Sequence, residues 1–260
     1  MEKSKIVFIT GSTSGIGKAI AKKMAALGHR VIINGFGDAS EIEALVEELS
    51  DLSSQKAAYF GTDMSKAEQI ESMFEQIKTE IGSVDILINN AGIQHVAPID
   101  EFPADKWEAI INLNLSSVFH TTKAVLPHMK KVGWGRVINI ASAHSLAASP
   151  FKSAYVAAKH GVAGFTKAAA LEVAQDGITV NAISPGYVLT PLVEAQIPDT
   201  AKARNLSEEE VVRDVILAAQ PTKAFIEAED IAETAAYLCS DAAKGITGSN
   251  ISMDGGWTAK

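Results

Sequence analysis

Seven short apolar runs alternate along this chain with longer segments that have the hydrophobic spacing of amphipathic helices. Several of the runs are apolar at nearly every position, which is typical of parallel strands that helices cover on both faces. This alternation predicts an α/β fold with a doubly wound parallel sheet. We predict the strands at Ile6–Ile9, Val31–Asn34, Lys56–Gly61, Ile86–Asn89, Val137–Ile140, Thr179–Ile183 and Asn250–Met253.

Composition narrows the class of protein. Of 260 residues, 47% are hydrophobic, and neither a repeat nor a linker-like segment interrupts them, so we predict one domain over residues 1–260. No apolar run approaches the roughly 20 residues of a membrane helix, and the N-terminus enters a strand without a signal peptide, which predicts a cytoplasmic protein without membrane contacts. The net charge of −8 argues against a nucleic-acid partner. The single Cys239 excludes an internal disulfide and a multi-cysteine metal site, and we predict no metal.

A glycine-rich turn follows the first strand. Gly11, Gly15 and Gly17 have the spacing G-x-x-x-G-x-G and precede an amphipathic helix that we predict over Ala19–Leu27. Such a turn lets backbone N–H groups approach a pyrophosphate while the positive end of the helix faces the anion. Three glycines in a turn can also be purely structural. Their place between a strand and a helix favours a Rossmann-like dinucleotide site.

The end of the second strand indicates which dinucleotide binds. An acidic residue at this point favours NAD, whereas arginine accommodates the extra phosphate of NADP. Neither Lys nor Arg occurs in Gly11–Gly17 or Asn34–Asp38, so we predict NAD. Asp38 lies four positions past the strand end, and we therefore expect Phe36 and backbone groups to shape the pocket. Asp63, after the third strand, is predicted either to accept from the adenine amino group or to cap the helix that follows.

A serine, a tyrosine and a lysine supply the candidate chemistry. Tyr155 and Lys159 are four positions apart and share one helix face, and Ser142 ends the fifth strand. A phenol is a poor base at neutral pH, but a neighbouring ammonium favours the phenolate and lowers the pKa of the phenol. The three side chains would then move a proton on or off an alcohol oxygen. A half-buried tyrosine beside a solvated lysine on an ordinary amphipathic helix is the alternative.

Two further features favour a site. Asn114 falls in a helix predicted from about Lys106, where asparagine competes for backbone hydrogen bonds, so it is predicted either to hold a water at a kink or to lie on the surface. The polar, helix-prone stretch over residues 190–226, with a helix start at Asn205–Glu208, is predicted to be a substrate lid. A surface insert is the alternative.

These motifs together resemble the short-chain dehydrogenase/reductase family over almost the whole chain. The motifs are T-G-S-T-S-G-I-G, N-N-A-G at Asn89–Gly92, Asn114, Ser142, Y-V-A-A-K at Tyr155–Lys159 and P-G at Pro185–Gly186. The resemblance implies a tetrad in which Asn114 holds a water relay, Ser142 orients the reacting oxygen, Tyr155 is the acid/base, and Lys159 lowers the pKa of that tyrosine and binds the nicotinamide ribose. The cofactor would carry the hydride. The predicted cofactor residues are Gly11, Thr13, Ser14, Gly15, Ile16, Gly17, Phe36, Asp63, Met64, Asn90, Ala91, Gly92, Tyr155, Lys159, Pro185, Gly186, Val188 and Thr190.

A narrower resemblance is to the bacterial branch of this family that interconverts D-3-hydroxybutyrate and acetoacetate with NAD. It implies that the carboxylate of the small substrate is bound by Gln94, His144, Lys152 and Gln196. A solvated lysine and a neutral loop histidine are the alternatives. Tyr187 stands where the resemblance implies tryptophan, which keeps a ring wall but changes the pocket size. The predicted substrate residues are Gln94, Ser142, His144, Lys152, Tyr155, Tyr187, Gln196 and Trp257.

The resemblance also implies a homotetramer, with packing faces near Lys106–Lys130 and Ser153–Gln175, and Trp257 is placed either in the pocket or at a subunit interface. Two competing functions stay open at this point. One is an NADP-dependent reductase of 3-oxoacyl thioesters or of another small alcohol or ketone. The other is a non-catalytic dinucleotide-binding protein, which the intact set of Asn114, Ser142, Tyr155 and Lys159 disfavours.

Overall fold

A seven-stranded parallel sheet forms the centre of the molecule. The computed structural model describes residues 4–189, 193–194, 197–198, 201–202 and 205–259. The strands lie in the order β3-β2-β1-β4-β5-β6-β7, and every neighbouring pair is parallel. The predicted fold class is therefore confirmed. The strands are β1 Ile6–Ile9, β2 Arg30–Asn34, β3 Ala58–Phe60, β4 Ile86–Asn89, β5 Gly135–Ile140, β6 Ile178–Pro185 and β7 Asn250–Met253.

Helices cover both faces of this sheet. They are α1 Gly15–Ala26, α2 Ala39–Ser53, α3 Ala67–Glu80, α4 Ala104–Ile111, α5 Ser117–Val132, α6 Ser153–Glu172 and α7 Ala228–Cys239. A π-helical segment, Asn112–Ser116, joins α4 to α5. The largest difference from prediction is at α1, which begins at Gly15 instead of Ala19, because the last glycines of the turn already belong to the first helical turn.

The strands are apolar at successive positions because each face of the sheet has its own core. Val7 and Ile9 of β1 pack with residues of α1, α2 and α7, whereas Phe8, between them, packs with residues of α3, α5 and α6. The rings of Phe8 and Phe74 meet edge to face, with centroids 5.1 Å apart. Burial on both faces accounts for the apolar runs from which the sheet was predicted.

The strand order places the candidate site. The chain passes from β3 on one side of β1 to β4 on the other, so the sheet has a topological switch point between β1 and β4. Ligands of open α/β sheets bind at the carboxyl ends of the strands at such a point. The segments after β1 and β4 therefore become neighbours, and those after β5 and β6 follow along the same edge.

Only part of the predicted lid belongs to the described residues. Ser207 and Glu210 form a reciprocal capping box at the start of a helical turn, Glu208–Glu210, which confirms the helix start predicted at Asn205–Glu208. A π-helical segment, Val211–Ile216, follows. Thr190 and Gln196, predicted to bind cofactor and substrate, lie outside the described residues. The lid and the single-domain assignment stay predictions.

Candidate active site

The glycine turn after β1 is shaped by close approach of backbone to backbone. Gly11 has φ +60°, and a Cβ there would lie 2.8 Å from the Cα of Ala91. A Cβ on Gly17 would lie 2.3 Å from the carbonyl oxygen of Gly11. Since side chains are excluded on both sides, the turn presents backbone groups and the start of α1 to the carboxyl edge of the sheet.

Hydrogen bonds join this turn to the segment after β4. The hydroxyl of Thr10 accepts from the backbone N–H groups of Asn90 and Ala91, each at 2.9 Å. The side-chain amide of Asn90 donates to the carbonyl of Gly11 at 2.8 Å. Asn90 therefore stabilises the turn itself, and it places Ala91 and Gly92 beside the glycines. Their predicted contact with the cofactor stays a prediction.

The turn after β2 is held by side chains bonded to backbone. The amide of Asn34 donates to the carbonyls of Phe60 and Thr62 at 2.8 and 2.9 Å, and the hydroxyl of Thr13 donates to the carbonyl of Phe36 at 2.9 Å. The ring of Phe36 is 68% exposed. The ring is therefore accessible to a ligand, and its role at the adenosine end of the site stays a prediction.

Two carboxylates near this turn accept hydrogen bonds from backbone N–H groups. Asp38 is the N-cap of α2 and accepts from the N–H groups of Ser40 and Glu41 at 2.8 and 3.2 Å. Asp63 accepts from the N–H of Ser65 at 2.9 Å in the turn that leads to α3. Hydrogen bonds from the two serines lower the pKa of both carboxyls. The helix-capping alternative for Asp63 is wrong, because α3 begins at Ala67 with Lys66 as its N-cap, and the Asp63 carboxylate bonds within the turn that precedes the helix. Met64, the other residue predicted here, is buried.

The predicted serine, tyrosine and lysine come together after β5. Ser142 is the N-cap of a short 3-10 turn, and Tyr155 and Lys159 lie one turn apart on α6. The ammonium nitrogen of Lys159 is 5.7 Å from the centroid of the Tyr155 ring and donates to the carbonyl of Ile140 at 2.7 Å. The arrangement places a buried cation under the ring of the proposed acid/base.

The pKa of Tyr155 does not follow the prediction. Burial raises this pKa, and a side-chain hydrogen bond with Ser142 opposes the rise only in part, with a further raising contribution from Tyr187. The expected lowering by Lys159 is therefore wrong for the protein by itself. The physical reason is that the same burial that brings the two groups together removes the solvation of the phenolate. It also lowers the pKa of Lys159 to about 8.

Asn114 is buried where the helix changes its hydrogen-bond pattern. It lies in the π-helical segment Asn112–Ser116 and is 1% exposed, so the surface alternative is wrong. Its side chain accepts from the N–H of Ile93 at 2.9 Å and donates to the carbonyl of Ile93 at 2.8 Å. The amide thereby fixes the loop after β4. A π-helical segment is common at functional sites, because it re-aims backbone groups.

Three rings form a continuous wall beside Tyr155. The ring of His144 meets those of Tyr155 and Trp257 edge to face, with centroids 5.8 and 4.9 Å apart. Trp257 stacks on Tyr187 with centroids 5.6 Å apart and an interplanar angle of 4°. We call His144, Tyr187 and Trp257 the aromatic wall. Trp257 thus contacts the pocket residues of its own chain.

Lys152 stands over one end of this wall. Its ammonium nitrogen is 5.7 Å from the centroid of the Tyr187 ring, and burial lowers its pKa. Burial and the nearby charge of Lys152 lower the pKa of His144 to about 4, so this imidazole is neutral at pH 7. The His144 Nε2 atom is 2.9 Å from the hydroxyl of Ser149. One cation and one neutral imidazole therefore border the same space.

The structure brings six of the predicted substrate residues into one contiguous set, and each has at least one described contact within it. None of the described contacts joins Gln94 to that set, and its side chain is exposed on the loop after β4. The six residues are Ser142, His144, Lys152, Tyr155, Tyr187 and Trp257.

Sequence analysis missed Gln220. This residue is fully buried, and its side-chain carbonyl accepts from the N–H of Tyr187, directly behind the aromatic wall. It also missed a buried chain of bonds in which Thr121 donates to Asn89, Asn89 to Asn139, and Asn139 to Thr166. These partners are up to 50 positions apart, so local patterns carry no signal for them.

Comparison with known proteins identifies the family. A family model described as short chain dehydrogenase matches residues 5–201. The chain belongs to the short-chain dehydrogenase family. Among curated members of this family, a D-beta-hydroxybutyrate dehydrogenase of Rhizobium meliloti is 55% identical over 257 residues, which are 99% of this chain and all of the relative. A second enzyme of that name, from Cupriavidus necator, is 49% identical over 260 residues and the full length of both chains.

A solved structure supports the same assignment. A single-residue variant of actinorhodin polyketide ketoreductase, crystallised with NADPH, superposes on this short-chain dehydrogenase with a TM-score of 0.89. The two chains are 33% identical, and the match covers 99% of this chain and 98% of the other. Within the described ranges, no helix is long and apolar enough to span a bilayer, and no cluster of His, Cys, Asp or Glu could bind a metal ion.

Proposed function

We propose that this short-chain dehydrogenase oxidises D-3-hydroxybutyrate to acetoacetate, reversibly, with NAD. The observation that carries the proposal is the pocket of Lys152, neutral His144, Tyr187 and Trp257 directly beside Tyr155. Two relatives of nearly the same length, 55% and 49% identical, bear the name of that activity. A cation, a ring wall and an acid/base in one contiguous set of side chains suit a short hydroxy acid.

The residues divide the reaction between them. Tyr155 takes the proton from the substrate hydroxyl, and Ser142 donates a hydrogen bond that orients the same oxygen. Lys159 stays largely protonated at neutral pH, since its pKa is about 8. Burial raises the pKa of Tyr155 in the protein by itself, so the phenolate would form only once the charge of Lys159 acts together with that of the bound cofactor. Asn114 fixes the loop after β4 and would hold the water that returns the proton to solvent. The turns after β1, β2 and β4 would hold NAD, whose nicotinamide would supply the hydride acceptor and a further positive charge.

The carboxylate of the substrate has one evident partner. Lys152 lies at the edge of the aromatic wall, and burial lowers its pKa, so a bound carboxylate would relieve the cost of burying the ammonium. Neutral His144 offers a donor that does not depend on pH near neutrality. A small acid has few atoms to bury, and its charge must therefore supply much of the binding free energy.

The choice of NAD over NADP rests on the turns that surround the adenosine end. Neither Gly11–Gly17 nor Asn34–Asp38 contains a Lys or Arg to pair with a second phosphate. The carboxylate of Asp38, whose pKa is lowered, stands in that turn as a negative charge. A 2′-phosphate would meet repulsion without a compensating cation.

A second candidate function is the reduction of 3-oxoacyl thioesters with NADP. Its support is a 3-oxoacyl-[acyl-carrier-protein] reductase of Staphylococcus epidermidis, which is 36% identical over 97% of this chain. An anionic carboxylate is absent from a thioester substrate, so Lys152 would then have no partner in the pocket. The lower identity and the basic group in the pocket favour the first candidate.

One assay separates the candidates. Both enantiomers of 3-hydroxybutyrate and the methyl ester of the D form are offered with NAD and with NADP, and absorbance of the reduced nicotinamide is followed. The expected result is turnover of the D acid with NAD at least about tenfold above that with NADP or with the ester. Equal turnover of acid and ester would remove the role of Lys152, and preference for NADP would support the second candidate.

We also propose a single domain, a cytoplasmic location, a lid over residues 190–226 and a homotetramer. The proposed packing helices expose large apolar side chains, among them Trp107 on α4, Phe119 on α5 and Leu171 on α6, the last 81% exposed. Light scattering after gel filtration would give the mass of the assembly.

A further inference from the structure

Among the described residues, the backbone of Tyr187 is bonded to a segment that follows it by more than thirty positions. Its N–H donates to the side-chain carbonyl of Gln220, and its carbonyl accepts from the N–H of Ile226 at 2.9 Å. A parallel bridge between Val188 and Ile226 continues this pairing. The ring that stacks on Trp257 is therefore positioned by residues 220–226 and not by its own strand.

Gln220 uses both ends of its side-chain amide. The carbonyl accepts from Tyr187, and the amino group donates to the carbonyl of Ala224 at 2.7 Å. The side chain is fully buried. Among the common side chains, only glutamine has an amide with one acceptor and one donor group at this distance from the backbone. We call Gln220, Tyr187 and Ala224 the Gln220 clamp.

The clamp explains why a glycine precedes Tyr187. A Cβ on Gly186 would lie 2.2 Å from the Gln220 carbonyl oxygen and 3.0 Å from the Cα of Asp254. Sequence analysis predicted Gly186 only as a cofactor residue. Its lack of a side chain is required by the amide that packs against it, whatever it does for the cofactor.

The same segment also contacts the other ring of the stack. The N–H of Thr222 donates to the carbonyl of Gly255 at 3.2 Å, two positions before Trp257. The carboxylate of Asp254 accepts from the N–H groups of Gly256 and Thr258 and so shapes the turn that carries Trp257. Residues 220–226 are thus bonded to both segments that supply the stacked rings.

We propose that Gln220 is a positioning residue that sets the size of the substrate pocket, by fixing the Tyr187 ring against Trp257. The inference rests on the proposed function, because it assigns the Tyr187–Trp257 stack to the wall that limits the chain length of a 3-hydroxy acid. Gln220 touches neither Tyr155 nor Lys159 in the described contacts, so it acts through Tyr187.

The test compares three variants. Gln220→Met keeps the length of the side chain and removes both hydrogen bonds. Gln220→Glu keeps an acceptor for Tyr187 and replaces the donor to Ala224 with an oxygen that, when ionised, repels the Ala224 carbonyl. Gln76→Met is the matched control, since Gln76 is exposed on α3 and donates only to Glu80 in the described residues. Each is assayed with the four-carbon and six-carbon D-3-hydroxy acids, and each is followed by hydrogen exchange of the Tyr187 and Ile226 amides.

The expected result for Gln220→Met is a fall of about tenfold in the kcat/KM ratio of the four-carbon to the six-carbon acid, the equivalent of one hydrogen bond. The change falls mainly on KM for the acid, while KM for NAD moves less than about twofold. The Tyr187 amide exchanges at least about tenfold faster. Gln220→Glu changes both measurements in the same direction, because repulsion replaces one bond of the clamp, and Gln76→Met shows no change.

An unchanged chain-length ratio in Gln220→Met, with faster exchange of Tyr187, overturns the role in specificity. Unchanged exchange overturns the clamp. Should Gln220→Met fail to fold, Gln220→Glu decides by the same two measurements. A wild-type protein that does not oxidise either acid refutes the proposed function instead, and the exchange measurement still tests the clamp by itself.

Discussion

The cofactor turns and the substrate pocket of this protein are built in different ways. In the turns after β1 and β2, the side chains of Thr10, Asn34 and Asn90 form hydrogen bonds with the backbone of neighbouring segments. The pocket instead draws its parts from Ser142–Tyr155, Tyr187 and Trp257, whose contacts are mostly between side chains, above all between rings.

The pKa shifts of the titratable groups also differ between the two regions. Near the cofactor turns, Asp38 and Asp63 have lowered pKa values and stay charged beside solvent. In the pocket, burial moves every resolved pKa toward the neutral form: those of His144, Lys152 and Lys159 fall, and those of Tyr155 and Tyr187 rise. Hydrogen bonds with backbone stabilise the cofactor turns, whereas burial shifts the pKa values of the pocket residues. Titratable groups with shifted pKa values of this kind are typical of reacting centres.

The largest expected effect comes from the pocket. Tyr155→Phe removes the proton acceptor, and we expect kcat to fall by roughly 10³- to 10⁴-fold, the upper range for acid/base catalysis. Binding of NAD, measured by titration, should be unchanged because the cofactor turns are intact. Tyr187→Phe is the control, since it keeps the stacked ring. Turnover by Tyr155→Phe within tenfold of wild type would exclude this residue from the chemistry.

Lys152→Ala tests the anion partner. Loss of a charge-assisted contact costs about 2–3 kcal/mol, so KM for D-3-hydroxybutyrate should rise roughly 30- to 150-fold with KM for NAD unchanged. Lys167→Ala is the matched control, since Lys167 is an exposed lysine on α6, the helix that Lys152 precedes. If Lys152→Ala binds the acid as wild type does, the carboxylate is bound elsewhere.

Gly17→Ala tests the close backbone approach in the cofactor turn. The added methyl group would lie 2.3 Å from the Gly11 carbonyl oxygen, so we expect unfolding free energy to fall by about 1–3 kcal/mol, with weaker NAD binding. Gly164→Ala is the control: in α6 its Cβ meets nothing within 4 Å, and it should stabilise the helix by up to about 1 kcal/mol. Chemical denaturation measures both. If Gly17→Ala is as stable as Gly164→Ala, the turn accommodates the added methyl group.

The smallest expected effect is on the pH dependence of the free energy of unfolding. Because burial lowers the pKa of His144 from its ordinary value of 6.5 to about 4, the unfolded chain binds more protons than the folded protein between these pH values. Stability therefore falls as the pH is lowered through this window. His144→Gln should reduce that slope by up to about 1.4 kcal/mol per pH unit, measured by denaturation at several pH values. A slope equal to that of wild type would show that His144 titrates normally.

Sequence patterns predicted the sheet well, because burial on both faces leaves an apolar run at every strand. They also predicted that Tyr155 and Lys159 share one helix face, because residues four positions apart lie about one helical turn apart. They were wrong on the Tyr155 pKa, because the sign of that shift depends on how deeply the pair is buried. They placed Asp38 near the adenosine end without showing that its carboxylate caps α2.

The sequence by itself determines the alternation of strands and helices, the glycine turn, and the residue types available for proton transfer and anion binding. Hydrophobic periodicity and backbone sterics act over a few residues, so they are legible in the linear sequence. The tertiary structure alone decided that Trp257 stacks on Tyr187 and that Gln220, 33 positions away, bonds to the Tyr187 backbone. Such contacts arise because packing, and not proximity along the chain, determines which groups lose water and which neighbours they meet.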